Sequence, residues 1–295
     1  MHRQLARAIS AVESGVSIER ELDAFANAVP AGGAASAYVI GITGPPGAGK
    51  STVVDHLIAR FRERGGTVAV IAVDPSSAFT GGAVLGDRIR MQRHAADAGV
   101  FIRSMASRAS GGGLAPATAH AIALCERAGF DVVIVETVGV GQVEIEIVSV
   151  ADVVVVVTVP GLGDEVQSMK AGLTEIADVF VVNMADRPGA NQTAADLVQM
   201  LRESERDVPV LKTTALDGGG VDELMDRLVD ARKQRASNPS RTVRFAVLRA
   251  VKERSVERAV GLLEAEEAKM IFEQLESHAI TRTEAVNRLV TLILG

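Results

Sequence analysis

The sequence between residues 44 and 51 reads Gly44-Pro-Pro-Gly-Ala-Gly-Lys50-Ser51. It fits the pattern Gly-x-x-x-x-Gly-Lys-Ser at every fixed position. The apolar run from Tyr38 to Thr43 before it is typical of a strand, and the residues from Thr52 onward have helical character. Glycines let backbone N–H groups turn towards phosphate oxygens, and a helix N-terminus adds positive potential there. This stretch therefore predicts a strand, a phosphate-binding loop and a helix, in that order.

The side chains of the loop predict the chemistry of a nucleoside triphosphatase. The Lys50 ammonium is expected to reach the β- and γ-phosphates, and the Ser51 hydroxyl is expected to be a ligand of Mg²⁺. Stabilisation by Lys50 would make it a catalytic residue as well as a binding residue. The other nucleotide-binding residues that we expect in the loop are Pro46, Gly47, Ala48, Gly49 and Thr52.

Apolar, β-rich runs alternate with helical stretches through the middle of the chain. After the strand at 38–43, such runs lie at 67–73, 131–136, 153–159, 179–183 and 208–213. This alternation predicts an α/β fold with a doubly wound, mostly parallel sheet, which is the Rossmann-like architecture of P-loop nucleoside triphosphatases. Ligands of such sheets bind at the carboxyl ends of the strands, where the motifs of this chain fall.

The two ends of the chain have helical patterns instead of strand patterns. We divide the chain into an N-terminal helical segment (1–35), a nucleotide-binding core (36–238) and a C-terminal helical arm (239–295). The apolar positions of the arm recur at helical spacing and need a partner surface. Two possibilities remain open for this arm: it folds back on its own core, or it pairs with a second copy of the chain.

Composition limits the classes of protein to consider. The 295 residues are 47% hydrophobic and carry a formal charge of −6, which argues against a general nucleic-acid-binding protein. We find no signal peptide and no apolar run long enough to span a membrane, so we expect a cytoplasmic protein without a membrane partner. Cys125 is the only cysteine, which excludes an internal disulfide and a multi-cysteine zinc site. Its apolar surroundings predict a buried position in a helix.

Two carboxylates end predicted strands near the phosphate-binding loop. Asp74 follows the run 67–73, and Glu136 ends the run 131–136 with Gly139 three residues later. A carboxylate in this position can hold Mg²⁺ or its bound water, and the glycine N–H can contact the γ-phosphate. The alternatives are that Asp74 caps a helix and that Glu136 is an ordinary strand end.

The stretch Asn183-Met184-Ala185-Asp186 stands where guanine-binding proteins have Asn-Lys-x-Asp. A carboxylate at Asp186 would accept two N–H bonds from guanine, and adenine lacks that pair of donors. Met184 replaces the usual lysine, and its flexible thioether can still cover the face of the base. The later base-side loop would be Thr213-Thr-Ala215-Leu216, with Thr214, Ala215 and Leu216 as its contact residues. We therefore predict GTP and GDP as ligands.

The order and content of these segments resemble the MeaB/ArgK family of GTPases, the chaperones of cobalamin-dependent acyl-CoA mutases. The resemblance extends from the phosphate-binding loop to about residue 235. The motifs that carry it are Val73-Asp-Pro-Ser-Ser77, Phe79-Thr-Gly-Gly82, Leu85-Gly-Asp87-Arg88-Ile-Arg-Met91, Ser104-Met-Ala, Gly112-Gly-Leu, Glu136-Thr-Val-Gly-Val-Gly-Gln142 and Pro160-Gly-Leu-Gly-Asp164.

The resemblance implies roles for particular residues. Asp74, Asp87 and Glu136 would surround Mg²⁺ with Ser51, directly or through water, and Asp87 and Glu136 would be part of the catalytic site. The segment from Pro160 to Lys170 would link the nucleotide state to the partner mutase, with Lys170 approaching the nucleotide. The family also implies that the C-terminal arm forms a homodimer.

The resemblance implies a Mg²⁺-dependent GTPase that gates cobalamin loading and protects an acyl-CoA mutase such as methylmalonyl-CoA mutase. One alternative is a nucleotide-dependent kinase of lysine/arginine/ornithine transport, but the sequence shows no acceptor pocket and no base for an acceptor hydroxyl. Another is a metal-insertion GTPase, although the Cys/His motifs that usually deliver the metal are missing. No obvious arginine finger or catalytic glutamine stands out, although Gln142 lies near the predicted switch, so we expect slow hydrolysis that the mutase accelerates.

Overall fold

Runs of valine and isoleucine form the strands of a seven-stranded parallel sheet, because β-branched side chains pack well on a pleated surface. In chain order the strands are β1 (Tyr38–Thr43), β2 (Val68–Pro75), β3 (Val100–Ser107), β4 (Val132–Thr137), β5 (Val153–Thr158), β6 (Val179–Val182) and β7 (Val210–Lys212). The helices are α1 (His2–Glu13), α2 (Ile18–Ala28), α3 (Lys50–Glu63), α4 (Pro116–Arg127), α5 (Leu173–Ile176), α6 (Ala190–Glu203), α7 (Val221–Ala236), α8 (Glu266–Glu276) and α9 (Arg282–Leu294). Short 3₁₀ turns lie at Gln92–His94 and Ile147–Ser149.

This computed structural model describes residues 1–28, 36–75, 91–94, 96–107, 116–137, 147–161, 173–236, 261–262, 265–277 and 279–294. Inside these ranges, the side chains of 26–28, 74–75, 92, 107, 116, 173, 234–236 and 293–294 are not described. The chain divides into two compact units, Met1–Thr242 and Val243–Gly295.

The order of the strands across the sheet is β3-β2-β4-β1-β5-β6-β7. The chain therefore starts in the middle of the sheet, extends to one edge, and returns to fill the other side. The order reverses where β1 lies between β4 and β5, and such a reversal creates a crevice at the carboxyl ends of the strands. The predicted doubly wound α/β fold is confirmed.

Strand β3 is absent from the sequence-based prediction. It is an edge strand that pairs only with β2 within the described sheet. The polar residues Arg103 and Ser104 interrupt its apolar run. The β-prone residues Val100, Phe101 and Ile102 are the part of the sequence that indicates a strand. The guanidinium of Arg103 donates from Nη2 to Glu13 Oε2 on α1 at 2.5 Å, so the charge in the strand has a partner.

Side chains alternate between two hydrophobic clusters, one on each face of the sheet. On β4, for example, Val133 and Val135 belong to the cluster that α1, α4 and α6 cover, whereas Val132 and Ile134 belong to the cluster that α3 and α7 cover. The predicted N-terminal helical segment contributes to the first cluster through Leu5, Ala8, Ile9 and Val12, which recur at helical spacing and are buried there. Cys125 is fully buried in α4, as predicted, and burial raises the pKa of its thiol.

Three strands are preceded by an aspartate whose carboxylate accepts a backbone N–H at the amino-terminal edge of the sheet. Asp131, Asp152 and Asp178 each precede the first valine of a strand, and each carboxylate accepts a backbone N–H from a neighbouring strand. The donors are Thr67 N at 2.7 Å, Val39 N at 2.9 Å and Val154 N at 2.8 Å, respectively. These bonds satisfy donors that a parallel ladder leaves over at its start.

The second unit contains α8 and α9, which pack against each other. Arg288 Nη1 donates to Gln274 Oε1 at 3.0 Å across the pair. Several large apolar side chains of these helices are solvent-exposed, namely Met270, Phe272, Val286 and Val290. Of the helices that the structure describes, none has the length and apolar character needed to cross a membrane.

Replacing Asp131 by asparagine should lower stability at neutral pH. Its carboxylate accepts both Thr67 N and Thr67 Oγ1, and these bonds lower the pKa of Asp131 below its ordinary value. A depressed folded-state pKa stabilises the fold above the unfolded pKa of about 4, and this contribution is lost as the pH falls through the folded-state pKa. Urea unfolding should show a loss of about 1 kcal/mol at pH 7 for this partly exposed group, shrinking towards pH 3.

The matched control is Asp207→Asn, which changes an exposed aspartate before β7 and should leave stability nearly unchanged. Equal stability of Asp131→Asn and the wild type at pH 7 would contradict the role of the carboxylate.

Candidate nucleotide-binding site

The loop from Gly44 to Gly49 leaves β1 at the crevice and leads directly into α3. Gly44 adopts φ +138°, and a Cβ atom there would lie 1.9 Å from the Val157 carbonyl oxygen. Gly49 adopts φ +83°, and a Cβ atom there would lie 2.4 Å from Asn183 Nδ2. Both positions therefore require glycine, for space as well as for backbone conformation. Gly47 also has positive φ but faces open space.

The Lys50 ammonium is held by the loop itself. Its Nζ donates to the carbonyl oxygens of Gly44 at 2.7 Å and Pro45 at 2.9 Å, and the side chain is buried. These bonds fix a positive charge at the start of α3, where the helix dipole adds positive potential. An anion that approaches this loop therefore meets a cation, the helix N-terminus and backbone N–H groups together.

Ser51 and Glu136 form a buried polar pair beside the loop. Ser51 Oγ donates to Glu136 Oε1 at 2.7 Å, and the two residues are 5% and 3% exposed. Neighbouring ligands of an octahedral Mg²⁺, each at about 2.1 Å from the ion, lie about 3.0 Å apart. A hydroxyl and a carboxylate at this separation are therefore a suitable pair of hard oxygen ligands for Mg²⁺. This pair fits the predicted roles of both residues, with the rest of the coordination left to water and phosphate oxygens.

Four other predicted site residues are not described or lack a described side chain. Asp87, Gly139 and Lys170 lie outside the described residues, and for Asp74 the structure describes the backbone at the end of β2 but not the side chain. Their predicted roles stay predictions. Within the described ranges, no group of three or more His, Cys, Asp and Glu side chains is arranged to hold a metal ion.

Asn183 connects the phosphate-binding loop to the predicted base-side loop. Its Nδ2 donates to the Ala48 carbonyl oxygen at 2.9 Å. Its Oδ1 accepts from Thr213 Oγ1 at 3.0 Å and from Ala215 N at 3.1 Å. The side chain is 2% exposed, so these bonds are protected from water. Thr213 belongs to the predicted base-side loop, and the structure adds its specific contact, the hydrogen bond that holds Asn183.

The predicted base-binding residues converge at the ends of β6 and β7. Ala185 N donates to the Thr213 carbonyl oxygen at 3.0 Å, which joins the two loops a second time. Asp186 and Leu216 are exposed beside this junction, and Leu216 is 88% exposed. Met184 is half-buried with φ +55°, an unusual conformation for a residue with a long side chain. Its Cε lies 3.9 Å from the position that a Cβ of Gly49 would take.

The loop after β7 has its own internal hydrogen bonds. Thr214 N donates to the Gly219 carbonyl oxygen at 2.9 Å, and Gly219 N donates to Asp217 Oδ1 at 3.0 Å. Thr214, Ala215 and Leu216 therefore lie on a compact turn next to Asp186. This arrangement offers an apolar side chain, a carboxylate and backbone N–H groups in one place, which is the mixture that a purine base requires.

Replacing Asn183 by alanine should weaken the binding of GDP and also destabilise the fold. The change removes three buried bonds and leaves the Ala48 carbonyl, Thr213 hydroxyl and Ala215 N–H unsatisfied, at a cost of about 2–4 kcal/mol. Titration with a fluorescent GDP analogue and urea unfolding should both show the loss. Asn191→Ala is the control, since Asn191 accepts from Lys212 Nζ at the exposed surface. Unchanged GDP affinity in Asn183→Ala would contradict the proposed connection.

Comparisons with known proteins show which proteins this chain is similar to. The family model described as "Methylmalonyl Co-A mutase-associated GTPase MeaB" matches residues 5–269. A Pyrococcus abyssi protein named as a GTPase is 54% identical over 238 residues, which cover 78% of this chain and 72% of that protein. The mouse protein "Methylmalonic aciduria type A homolog, mitochondrial" is 37% identical over 205 residues, covering 67% of this chain and 49% of that protein.

Among solved structures, one titled "Crystal structure of LAO/AO transport system kinase" superposes with a TM-score of 0.66 at 28% identity, covering 100% of this chain and 94% of that one. The family match covers most of the chain, and the first relative shares more than half of the aligned residues. Both carry the GTPase name, in agreement with the phosphate-binding loop and the exposed Asp186. This chain belongs to the MeaB family of methylmalonyl-CoA mutase-associated GTPases.

Proposed function

We propose that this GTPase hydrolyses GTP in a Mg²⁺-dependent reaction and acts as a chaperone of a cobalamin-dependent acyl-CoA mutase. The observation that carries the nucleotide chemistry is the buried Ser51–Glu136 pair beside Lys50. The mutase association rests on the family description, which names methylmalonyl-CoA mutase, and on the match to residues 5–269. The protein would gate the loading of cobalamin and protect the mutase.

The residues of the phosphate-binding loop bind and orient the triphosphate. Lys50 would exchange its bonds to the Gly44 and Pro45 carbonyls for phosphate oxygens, and the backbone N–H groups of residues 47 to 52 would surround the phosphates. Ser51 and Glu136 would hold Mg²⁺, with Asp74 and Asp87 in the roles that the family resemblance implies. The ion would neutralise charge that develops on the phosphate oxygens. Water would be the nucleophile, and the fixed charges would stabilise the transition state.

The base-side loops select guanine in this proposal. The exposed carboxylate of Asp186 would accept two N–H bonds from the base, which adenine cannot provide. Leu216 and Met184 would cover apolar surface of the base, and Thr214 and Ala215 would supply backbone contacts. The αL conformation of Met184 fits this role, since unusual backbone conformations of bulky residues concentrate at ligand sites.

The coupling to a partner would use the segment from Pro160 to Lys170, with Lys170 near the nucleotide. In the sequence it starts at Pro160, shortly after β5, and ends before α5. The Thr174 carbonyl in α5 and the Ala177 carbonyl just after this helix accept from the Arg206 guanidinium. We also propose that the arm 239–295 pairs with a second copy of the chain in the cytoplasm, using the exposed apolar side chains of α8 and α9. The alternative fold-back arrangement would leave the chain a monomer in solution.

Replacing Glu136 by glutamine should raise the Mg²⁺ concentration needed for hydrolysis and lower the turnover. The change keeps the shape of the side chain and removes its negative charge, so we expect about a tenfold to hundredfold loss in turnover at limiting Mg²⁺. GDP affinity measured with a chelator present should stay the same. Glu126→Gln, at an exposed carboxylate that accepts from Ser36, is the control. An unchanged Mg²⁺ dependence in Glu136→Gln would overturn the assigned role.

The mutase proposal predicts that purified methylmalonyl-CoA mutase accelerates phosphate release from GTP several-fold over the basal rate. The physical reason is that no obvious arginine finger stands out in the sequence to complete the charge stabilisation, so a partner would rearrange the loops. Radiolabelled GTP separates hydrolysis from the alternative kinase reaction: label recovered as inorganic phosphate supports the GTPase, and label on lysine, arginine or ornithine transport components supports the kinase. A basal rate that cobalamin-dependent acyl-CoA mutases leave unchanged would overturn the chaperone proposal.

A further inference from the structure

A second buried polar pair lies at the carboxyl ends of β1 and β4. Thr137 Oγ1 donates to Thr43 Oγ1 at 2.9 Å, and both residues are 0% exposed. Thr43 is the last residue of β1 before the phosphate-binding loop, and Thr137 follows Glu136 at the end of β4. The hydroxyl pair therefore joins the strand that leads into the loop to the strand that carries the metal-binding carboxylate.

The two pairs hold β4 from opposite faces of the sheet. Strands β1 and β4 are adjacent and parallel, with Ile42 opposite Glu136, so Thr43 and Thr137 occupy the next position along each strand. Because side chains alternate, Glu136 points to the α3 face with Ile134, and Thr137 points to the other face with Val135. Glu136 is bonded to Ser51 on one side, and Thr137 is bonded to Thr43 on the other.

Burial of two hydroxyls here needs an explanation, because valine has the same shape. Positions 133 and 135 of β4 on this face are both valine, and both are fully buried in the hydrophobic cluster. Two valines in place of the threonines would fill the same volume without the cost of desolvating two hydroxyl groups. Unlike two valines, the two threonines form a directional hydrogen bond. This bond fixes the relative position of β1 and β4 at their carboxyl ends.

We propose that Thr43 and Thr137 are positioning residues of the GTPase reaction. Their bond sets the end of β4 against β1 so that Glu136 stays within hydrogen-bond reach of Ser51 at the Mg²⁺ site. The inference rests on the proposed role of Ser51 and Glu136 in holding the ion. Neither threonine contacts the nucleotide in this mechanism; both act through Glu136 and through the start of the phosphate-binding loop.

The effect of losing the bond should be selective. Hydrogen bonds and Mg²⁺ coordination tolerate shifts of only a few tenths of an ångström, so a small displacement of Glu136 would weaken the site for the ion. The base-side residues follow β6 and β7, on the far side of β5, and Asn183 holds them through Thr213 and Ala215, in bonds that involve neither threonine of the pair. Metal dependence and turnover should therefore change, while GDP binding without Mg²⁺ should not.

The test compares full-length variants of the two threonines. For Thr137→Val and for the double variant Thr43→Val/Thr137→Val, we expect the Mg²⁺ concentration for half-maximal GTP hydrolysis to rise about fivefold to tenfold, the equivalent of one lost hydrogen bond. Thr137→Ser keeps the hydroxyl and should stay within about twofold of the wild type. Thermal unfolding is measured in parallel, and the double variant should unfold at the wild-type temperature because no hydroxyl is left unsatisfied.

The control is Thr118→Val on α4. Thr118 is also 0% exposed, and its hydroxyl has no hydrogen-bond partner in the part of the protein that the structure describes. Its substitution should leave the Mg²⁺ dependence unchanged. If the control changes the Mg²⁺ dependence as much as Thr137→Val does, any buried threonine matters equally and the inference is overturned.

Two outcomes separate this inference from the function on which it rests. Wild-type hydrolysis with a normal Mg²⁺ dependence in the double variant would overturn the positioning role alone, since the threonines would then be a structural pair. A wild-type chain that hydrolyses no GTP at any Mg²⁺ concentration would overturn the proposed function, and the inference with it. A raised Mg²⁺ requirement in the stable double variant, with normal GDP binding in chelator, supports both.

Discussion

All strands of the sheet run in the same direction, and this constraint decides where the polar side chains of the site meet. The carboxyl ends of β1, β4 and β6 lie at one edge, so Gly44, Glu136 and Asn183 reach the same crevice although about 140 residues separate the first from the last. The reversal of strand order on either side of β1 opens the space between them. The backbone of the phosphate-binding loop also packs directly against β5, because the Val157 carbonyl oxygen lies where a side chain of residue 44 would be.

Within this crevice the phosphate and base regions are connected by one amide side chain. The phosphate-binding loop follows β1 and the base-side loops follow β6 and β7, with β5 between them. An asparagine can donate and accept at the same time, and Asn183 uses both properties to bond to Ala48 and to Ala215. An aspartate would lose the donor and a leucine would lose both groups. The distance between the two halves of the nucleotide site therefore depends on the geometry of a single side chain.

Sequence patterns predicted the parts of this protein that depend on local physics. The phosphate-binding loop, six strands and the buried N-terminal positions follow from residue types at fixed spacing, and the structure confirms the fold that they imply. Strand β3 escaped prediction because Arg103 and Ser104 interrupt its apolar run, and Glu13, the partner of Arg103, lies 90 residues away in the sequence. The hydrogen bond from Thr213 to Asn183 and the pairing of Thr43 with Thr137 also escaped it. Each depends on contacts between residues 30 or more apart, which periodicity does not encode.

The aspartates that begin β4, β5 and β6 have a consequence for how freely this scaffold can change. They satisfy backbone donors at the amino-terminal edge, whereas the chemistry of the site lies at the carboxyl edge. Substitutions that reshape the base-side turn do not touch these anchors, so a new ligand preference can arise with little loss of folding free energy from that edge. A substitution is then expected to lower both stability and nucleotide binding at residues such as Asn183, which hold the loops together and line the crevice. A scaffold divided in this way is suited to diversification of its loops around a constant sheet.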